Sequence, residues 1–280
     1  FKQKTAYEIS LGLVGSEMCI RDRSSKVVSI AYGYMVRIST IKPSKRALKL
    51  ARKTNMDPRY VQLLLDLSDD ILFVVPFRRL IDEGIVPLDR MARDPVKARA
   101  AVDRIPYVFF VLRGGQIYSD AGIDYSNSPP EYVTYLPKNP DEVARKIRKE
   151  IERRTGKKVA VIISDTEVMF PFGSMNFARG SSGVGIMERN FGEEDLFGVP
   201  KFGGVDIIAH ELASAAALLM GQTRERIPAV IIRGFEWRES DEGISEVFSF
   251  SRKSLKRLVK LTLRATLRVL GIRKLLEILR

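Results

Sequence analysis

The spacing of apolar and polar residues predicts helices and strands that follow one another in no fixed order. Runs of apolar and β-branched residues predict strands at 27–31, 71–75, 107–112, 116–119, 158–164 and 229–233. Apolar residues three and four apart predict helices at 45–53, 58–67, 139–155 and 206–220, with helical spacing also within 77–105. Because the elements lack strict βαβ alternation, the pattern predicts an α+β fold with mixed sheets and packed helices.

Local signals sharpen several of these boundaries. Asp57-Pro58 is an N-cap followed by proline at the first helical position, and Arg113-Gly114-Gly115 between two strands is typical of a β-hairpin. Gly180-Ser181-Ser182-Gly183 predicts a tight turn, with a phosphate-binding loop as the alternative. It does not have the spacing of a nucleophile elbow.

The last thirty residues predict a basic amphipathic helix at 251–270 and a second short helix at 272–279. Lys256, Lys260, Arg264 and Arg268 stand four apart on one side. The opposite side carries Leu255, Leu258, Val259, Thr262, Thr266, Val269 and Leu270. We expect this stripe to dock against the body or a partner subunit; binding to an anionic membrane surface or to RNA stays open as the alternative.

The formal net charge of +13 is concentrated in this tail. Residues 251–280 hold ten Lys/Arg and one Glu, whereas residues 24–250 hold 33 basic and 30 acidic residues. A main segment with almost no net charge is not typical of a protein that binds the phosphate backbone of a nucleic acid. The single cysteine excludes an internal disulfide, and no apolar run reaches the roughly 18 residues of a membrane span, so we expect a cytoplasmic protein.

The chain divides into three segments. Residues 1–23 do not lead sensibly into the strand predicted after them and look like translated adapter sequence, so we predict a non-native segment there; a poorly ordered native terminus is the alternative. Residues 24–250 form the main domain, whose N-terminal part we expect to be incomplete. Residues 251–280 form the helical tail.

Two acidic positions follow predicted strands and are candidates for chemistry. Asp124 comes after the hairpin, and Asp165, followed by Thr166, comes after the strand 158–164. Hard cations such as Mg²⁺ or Mn²⁺ take oxygen ligands, usually one or two carboxylates with water and nucleotide phosphates. Each aspartate alone is more often a turn or cap residue.

Six ordered motifs together resemble the coenzyme F-420 gamma-glutamyl ligase family. They are Asp120-Ala121-Gly122-Ile123-Asp124-Tyr125-Ser126-Asn127, Val161-Ile162-Ile163-Ser164-Asp165-Thr166, Asp195-Leu196-Phe197-Gly198, Ala209-His210-Glu211-Leu212-Ala213, Leu218-Leu219-Met220-Gly221 and Ile227-Pro228-Ala229-Val230-Ile231-Ile232-Arg233-Gly234. The resemblance covers about residues 24–240 and implies the fold of that family.

The resemblance also implies which residues bind what. It makes Asp124, Asp165 and Thr166 ligands of a divalent metal. It places Ser25, Asn127, Gly221 and Gln222 at the nucleotide, the last two in a loop near the phosphates. It does not identify a catalytic residue.

The activity implied by the resemblance is GTP-driven amide formation in coenzyme F-420 biosynthesis of the archaeal type. A carboxylate of a deazaflavin-type acceptor is activated as an acyl phosphate and then attacked by L-glutamate, with Mg²⁺ or Mn²⁺ as the divalent cation. Such ions neutralise charge that develops on phosphoryl oxygens. The resemblance further implies a homodimer.

Several departures from the family pattern favour an alternative. Ile30 stands where the family has a lysine, and Glu167 with the residues to 172 replaces a glycine- and arginine-rich loop. His210 occupies a position where the family usually has an aspartate. The first strand of the family, with its nucleotide-binding loop, has no counterpart in this sequence. Loss of cations weakens binding of anionic substrates. The alternative is therefore an inactive or altered-substrate paralogue that acts as a scaffold or binds an anionic partner.

A zinc protease is excluded by the histidine count. His210-Glu211 resembles the start of a zinc-protease helix, but the second histidine is missing and the chain has one histidine in all. We expect His210 to be a helix surface or interface residue.

Overall fold

The computed structural model describes residues 19–169, 173–221, 225 and 227–279, with backbone only at 19–24 and 273–279. The described chain forms ten strands. These are β1 (Cys19–Ser24), β2 (Met35–Arg37), β3 (Asp70–Val75), β4 (Val108–Arg113), β5 (Gln116–Ser119), β6 (Ile123–Asp124), β7 (Tyr132–Tyr135), β8 (Val159–Val168), β9 (Ser174–Ser182) and β10 (Ala229–Ile232).

Helices surround these strands. They are α1 (Ser25–Ala31), α2 (Lys45–Thr54), α3 (Pro58–Leu67), α4 (Phe77–Asp82), α5 (Leu88–Met91), α6 (Pro95–Arg104), α7 (Pro140–Thr155), α8 (Ile208–Met220), α9 (Ile244–Val247) and α10 (Arg252–Leu279). Mixed sheets with packed helices confirm the α+β prediction.

The strands form three small sheets. The largest has the order β10-β1-β8-β9, in which β1 is parallel to β8 and the other pairs are antiparallel. The other two, β2-β7-β6 and β3-β4-β5, are antiparallel. Gly114 and Gly115 join β4 to β5 with φ of 55° and 81°, which confirms the predicted hairpin.

Strand β8 lies at the centre of the core because both of its faces are buried. Val161 and Ile163 pack in one apolar cluster with Ile147 of α7. Ala160 and Ile162 point the other way, into a second cluster with Leu212 of α8. Alternate side chains of a strand face opposite sides, so the sheet is covered by α7 on one face and by α8 on the other.

Helix α7 shows why the sequence folds this way locally. The Asn139 side chain accepts from the Glu142 amide at 3.2 Å, and Gly156 ends the helix at a left-handed φ of 67°. The buried positions Val143, Ala144, Ile147 and Ile151 form one stripe. Cap, stripe and stop signal agree with the predicted helix.

The segment before β2 differs from the prediction. Residues 27–31 were predicted as a strand, but they form part of helix α1, with Val28 and Ser29 buried. β-Branched residues favour strands only weakly. In the helix, the Val28 side chain is fully buried in the core. The strand prediction here is wrong because tertiary packing outweighs local preference.

Strand β1 includes residues 19–23, which the sequence placed outside the fold. Their backbone pairs with both β8 and β10. Strand pairing uses backbone groups that every residue except proline supplies, so almost any sequence can fill such a position. The non-native origin of residues 1–23 stays a prediction, whereas residues 19–23 do take part in the sheet.

The glycine motif at 180–183 is also not the predicted turn. Gly180 to Ser182 belong to β9, and only Gly183 has a positive φ, of 90°. A Cβ on Gly180 would lie 2.5 Å from the backbone of Pro140, so glycine permits close packing of β9 on the start of α7.

Helix α10 stands apart from the core. Between residues 251 and 272 only Leu255 and Thr266 are half-buried, and the other residues are exposed. In the described residues the apolar stripe therefore does not dock against residues 24–250 as predicted. The break between two helices is confirmed, since Gly271 has a non-helical φ of 74°. No described helix contains a stretch long and apolar enough to cross a membrane.

Candidate functional site

An open cleft of about 690 Å³ lies where the three segments around β6, β8 and α1 meet. Its lining includes six of the residues assigned from the resemblance, namely Ser25, Asp124, Asn127, Asp165, Thr166 and Gly221. The seventh, Gln222, lies outside the described residues. Residues up to 196 positions apart thus share one cleft, as the metal and nucleotide assignments require.

Asp124 is held at the cleft by a tight turn after β6. Its Oδ1 accepts from the Ser126 amide at 2.7 Å and its Oδ2 from the Ser126 hydroxyl at 2.7 Å. Such Asx turns are common after strands. The nearby Arg113 guanidinium donates to the Ala121 carbonyl at 2.6 Å and so supports the segment that leads to Asp124.

Lys26 of α1 is a cation that the sequence analysis missed. Its Nζ lies 2.8 Å from Asp124 Oδ2 and donates to Thr134 Oγ1 at 2.5 Å and to Ser128 Oγ at 3.2 Å. Ile30 lines the same cleft one helical turn later. Lys26 comes just before the segment wrongly predicted as a strand, and no sequence motif marked it as a partner of Asp124, which lies 98 positions away.

Asp165 lies in the middle of β8, not at its carboxyl end as predicted. The pairing of β8 with β9 shifts by one residue between Ile163 and Ser164, and the strand then continues to Val168. Asp165 Oδ1 accepts from the Ser25 hydroxyl at 2.7 Å. The extra residue of this bulge is Arg179 on β9, and Asp165 lines the cleft from β8.

The carboxyl group of Asp165 has a strongly altered pKa. Loss of contact with water raises the pKa to about 7, and the negative charges of Glu167 and Asp124 act in the same direction. The Ser25 hydrogen bond and the Arg179 charge oppose this rise. Crowded carboxylates with a raised pKa are a feature of functional sites that bind cations or move protons.

Asp120 also lines the cleft and was not singled out from the sequence as a site residue. Burial raises the pKa of its carboxyl to about 7, although the Phe109 amide, which donates to Asp120 Oδ1 at 2.9 Å, acts against the rise. Asp120 and Ala121 both have positive φ, at 46° and 56°. Such strained backbone persists only where the surrounding structure holds it, and it is frequent at functional sites.

Below the cleft lies a buried ion pair between Glu167 and Arg179. The Arg179 guanidinium is 2.6 Å from Glu167 Oε1, and the side chains of Arg179 and Glu167 are 8% and 7% exposed. Glu167 Oε2 also accepts from the amide and hydroxyl of Ser119, both at 2.6 Å. Arg179 stacks on the Tyr118 ring with 3.9 Å to its centroid. Glu167 is thus part of an internal network that joins β5, β8 and β9.

The remaining assigned residues occupy other parts of the same cleft. Thr166 Oγ1 donates to Asn176 Oδ1 at 2.8 Å. Asn127 has a left-handed φ of 48°, and Gly221 ends α8 with a φ of 67°. Glu225 lies beside Gly221, where a Cβ would approach its side chain to 2.4 Å.

His210, predicted to be a helix surface or interface residue, is half-buried where α8 meets β9. Its Nδ1 accepts from the Ala178 amide at 3.2 Å, and its ring meets the edge of Phe177 at 4.9 Å. Burial, together with the Arg179 charge, lowers the pKa of His210 to about 4, which keeps the imidazole neutral. Within the described residues no three or more His, Cys, Asp or Glu side chains form a group that could hold a metal ion.

Comparison with known proteins agrees with this site. The chain matches the F420-0:gamma-glutamyl ligase family over residues 23–234, and it therefore belongs to that family of ligases. It is 35% identical over 211 residues to the coenzyme F420:L-glutamate ligase of Methanopyrus kandleri, covering 75% of this chain and 72% of that protein.

Two further relatives carry the same name. The coenzyme F420:L-glutamate ligase of Methanosarcina mazei is 34% identical over 227 residues, covering 80% of this chain and 78% of the relative. The Methanocaldococcus jannaschii protein is 37% identical over 210 residues, covering 74% and 72%. The family prediction is confirmed, and α10 lies beyond the matched region.

Proposed function

We propose that this protein is a GTP- and divalent-metal-dependent ligase that adds L-glutamate to a carboxylate acceptor of the deazaflavin type. The observation that carries the proposal is the convergence of Asp124, Asp165 and Thr166 on one cleft, in a chain of this ligase family. Asn127 and Gly221 line the same cleft and are assigned to the nucleotide. The relatives' names supply the substrate class.

The donor set fits Mg²⁺ or Mn²⁺. Two carboxylates and a threonine hydroxyl are hard oxygen ligands, and Mg²⁺ is commonly bound by one or two carboxylates completed by water and substrate phosphates. A cation would also relieve the repulsion that contributes to the raised pKa of Asp165. Asp124 is already paired with Lys26, so it would have to share Oδ2 or turn toward the ion. The bound ion would neutralise charge on the phosphoryl oxygens.

The reaction consists of two transfers. The acceptor carboxylate attacks the γ-phosphorus of GTP, the bond to the bridging oxygen breaks, and GDP leaves from the acyl phosphate. The amino group of L-glutamate then attacks the acyl carbon, loses a proton, and expels inorganic phosphate. Lys26 is placed to stabilise negative charge in the cleft, since an ammonium 13% exposed is only weakly screened by water.

The nucleotide and metal assignment can be tested by thermal stability. Mn²⁺ and GTP added together should raise the melting temperature by about 5–10 °C, because ligands that bind the native state stabilise it by mass action. Asp165→Asn should remove this rise. The matched control is Asp89→Asn, which changes an exposed aspartate of α5 and should keep it.

Two results would contradict the assignment. An undiminished shift in Asp165→Asn would mean that the ions act elsewhere. A shift with Mn²⁺ and ATP equal to that with GTP would remove the guanine preference. For the wild type, phosphate release from GTP that requires both L-glutamate and the acceptor would establish the reaction.

One observation favours the altered-substrate alternative. Among the described residues that line the cleft, Lys26 is the one cation, whereas GTP and the acceptor are both anionic. A paralogue with a less charged acceptor would need fewer cations. Nucleotide binding without glutamate-dependent phosphate release would support that reading over the ligase.

We also propose a homodimer, supported by an exposed hairpin at 188–206. Its two arms are joined by backbone hydrogen bonds, such as those from the Glu188 amide to the Asp206 carbonyl and from the Asn190 amide to the Gly204 carbonyl, both at 2.9 Å. Its tip exposes Leu196 and Phe197 at 99% and 90%. Large apolar side chains presented together on an ordered arm are typical of protein interfaces. The mass of the protein in solution distinguishes a dimer from a monomer.

A further inference from the structure

Helix α10 leaves a long apolar face in water. Of its apolar residues, Leu258 is 52% exposed, Leu261 54%, Val269 78% and Leu270 56%. Among the described residues little covers this face, and such a helix is unfavourable in water because most helical stability in proteins comes from burial of an apolar face. This face therefore needs a partner from outside the chain.

The beginning of the helix is fixed to the body. The Phe250 amide donates to the Gly115 carbonyl at 2.7 Å, and the Arg252 guanidinium lies 2.6 Å from Asp70 Oδ2. These contacts attach the first turn to the β3–β4–β5 sheet. Beyond them the helix continues through Leu270, then changes direction at Gly271. The helix is a projecting arm with a defined base.

The charge of the arm has one sign. Residues 252–268 contain seven Lys/Arg and no Asp or Glu. At 3.6 residues per turn, Lys256, Lys260 and Arg264 lie on one side, and Leu258, Thr262 and Val269 lie on the opposite side. A cationic side and an apolar side along the same axis are the two features of a helix that lies in a membrane interface.

We propose that α10 binds an anionic lipid surface, with its axis in the plane of the interface. The apolar side would enter the boundary between headgroups and acyl chains, and the lysines and arginines would reach the lipid phosphates. The helix lies beyond the family match at 23–234 and contributes no residue to the described lining of the cleft, so this property is separate from the proposed ligase activity.

A lipid surface offers charges to the cationic side and an apolar phase to the apolar side of the helix. RNA or a second copy of the helix offers only one of the two. RNA would pair with the cations but leave the leucines and valines in water, and residues 251–280 contain no aromatic side chain for base stacking. An identical helix would cover the apolar side but would bring a second set of the same charges with no acidic residue between 252 and 268 to meet them.

The experiment is co-sedimentation of the full chain with vesicles. Vesicles of phosphatidylcholine containing about 30 mol % phosphatidylglycerol should bind the protein at low salt, and binding should fall as the ionic strength rises to about 0.5 M. Vesicles of phosphatidylcholine alone should bind little. Free inorganic phosphate should not compete, because it offers no apolar phase.

Three full-length variants separate the contributions. Changing Lys256, Lys260, Arg264 and Arg268 to Gln should weaken binding about a hundredfold or more, since each cation near an anionic surface contributes about fivefold. Leu258→Ser with Val269→Ser should weaken it about tenfold or more through lost apolar insertion. The matched control removes the same charge from another exposed helix, α2, by changing Arg46, Lys49, Arg52 and Lys53 to Gln, and should stay within about twofold.

Several results would overturn the proposal. Equal loss in the α2 variant would show that net charge alone attracts the protein. Full binding by the Leu258 and Val269 variant would show that the helix does not insert. Absence of vesicle binding, together with salt-sensitive binding to a short single-stranded RNA or with a helix-dependent change in oligomeric state, would assign the helix to one of those partners. Unchanged melting temperatures verify that each variant is folded.

Discussion

The cleft and helix α10 both carry many charges, but they satisfy them in different ways. In the cleft, Lys26 meets Asp124 at 2.8 Å, and below the cleft Arg179 meets Glu167 at 2.6 Å, each pair joining different elements of the fold. Along α10, between Lys253 and Ile272, no described side chain forms an ion pair with another. One region balances its charges internally, whereas the other presents them to solvent.

This difference explains why the net charge of +13 must be divided between paired and unpaired charges. Balanced internal charges shape a site, because each is costly to bury without its partner. Unbalanced surface charges cost little in water and act on partners at a distance. The same residue types therefore position side chains in the family domain, and in α10 they are available to attract an anionic partner.

The largest effect is expected from breaking the buried pair below the cleft. Arg179→Met should destabilise the protein by about 3–5 kcal/mol, because Glu167 would be left as an uncompensated buried charge. Urea unfolding followed by circular dichroism measures the change. Adding Glu167→Gln to Arg179→Met should restore part of the loss.

The matched control is an exposed pair of similar distance. Arg79 and Glu83 of α4 and its C-cap lie 2.6 Å apart with side chains 76% and 46% exposed. Arg79→Met should leave stability unchanged within error, because exposed pairs contribute little. Equal losses of stability in Arg179→Met and Arg79→Met would show that buried and exposed ion pairs do not differ in this protein.

A smaller effect is expected from the pH dependence of stability. The folded-state pKa of Asp165 is about 7 against an ordinary value of 3.8, so between these values the native state holds more protons than the unfolded state. The free energy of unfolding should therefore fall as pH rises from about 4 to about 7. In buffer without divalent cations, Asp165→Asn should gain about 1–3 kcal/mol at pH 8 and little at pH 4.

Denaturant unfolding across this pH range checks the sign. Asp89→Asn, which alters an exposed aspartate, should keep the wild-type slope. A loss of stability in Asp165→Asn at pH 8 would mean that the carboxylate is stabilising where it lies, and that the cleft is not strained for function. Asp120, also with a pKa raised to about 7, should contribute a second part of the same slope.

The smallest effect on folding is expected at the exposed hairpin. Leu196→Ser with Phe197→Ser should change the stability of the isolated chain by no more than about 0.5 kcal/mol, because both side chains are already in water. If the hairpin forms the dimer, light scattering should show half the mass. Val96→Ser, at an 80% exposed valine of α6, should keep the dimer. A dimer that survives the hairpin variant would place the interface elsewhere.

Much of the fold follows from local signals that do not depend on distant partners. The helices α2, α3 and α7 begin at side-chain caps from Ser44, Asp57 and Asn139, and all three were predicted within a few residues. The hairpin at Gly114-Gly115 was predicted because its turn requires positive φ. Such signals are strong because cap and turn geometry restrict the residue type.

The errors arise where tertiary packing or the solvent decides. The segment 27–31 is rich in β-branched residues yet helical, and Lys26 just before it meets Asp124 only in the folded chain. The tail was predicted to dock because its apolar stripe is continuous, but a continuous stripe does not say what covers it. Neither the sequence period nor the composition could supply that information.

The sequence by itself determined the α+β class, most element positions, the family and the group of acidic and polar residues at the site. It did so because periodicity, caps and ordered motifs are written in neighbouring residues. The tertiary structure alone decided that Asp165 lies beside Ser25 in the cleft, that Lys26 pairs with Asp124, and that Arg179 and Glu167 are buried together. Those outcomes join residues 12 to 140 positions apart, and such distances are set by packing and hydrogen bonding across the fold.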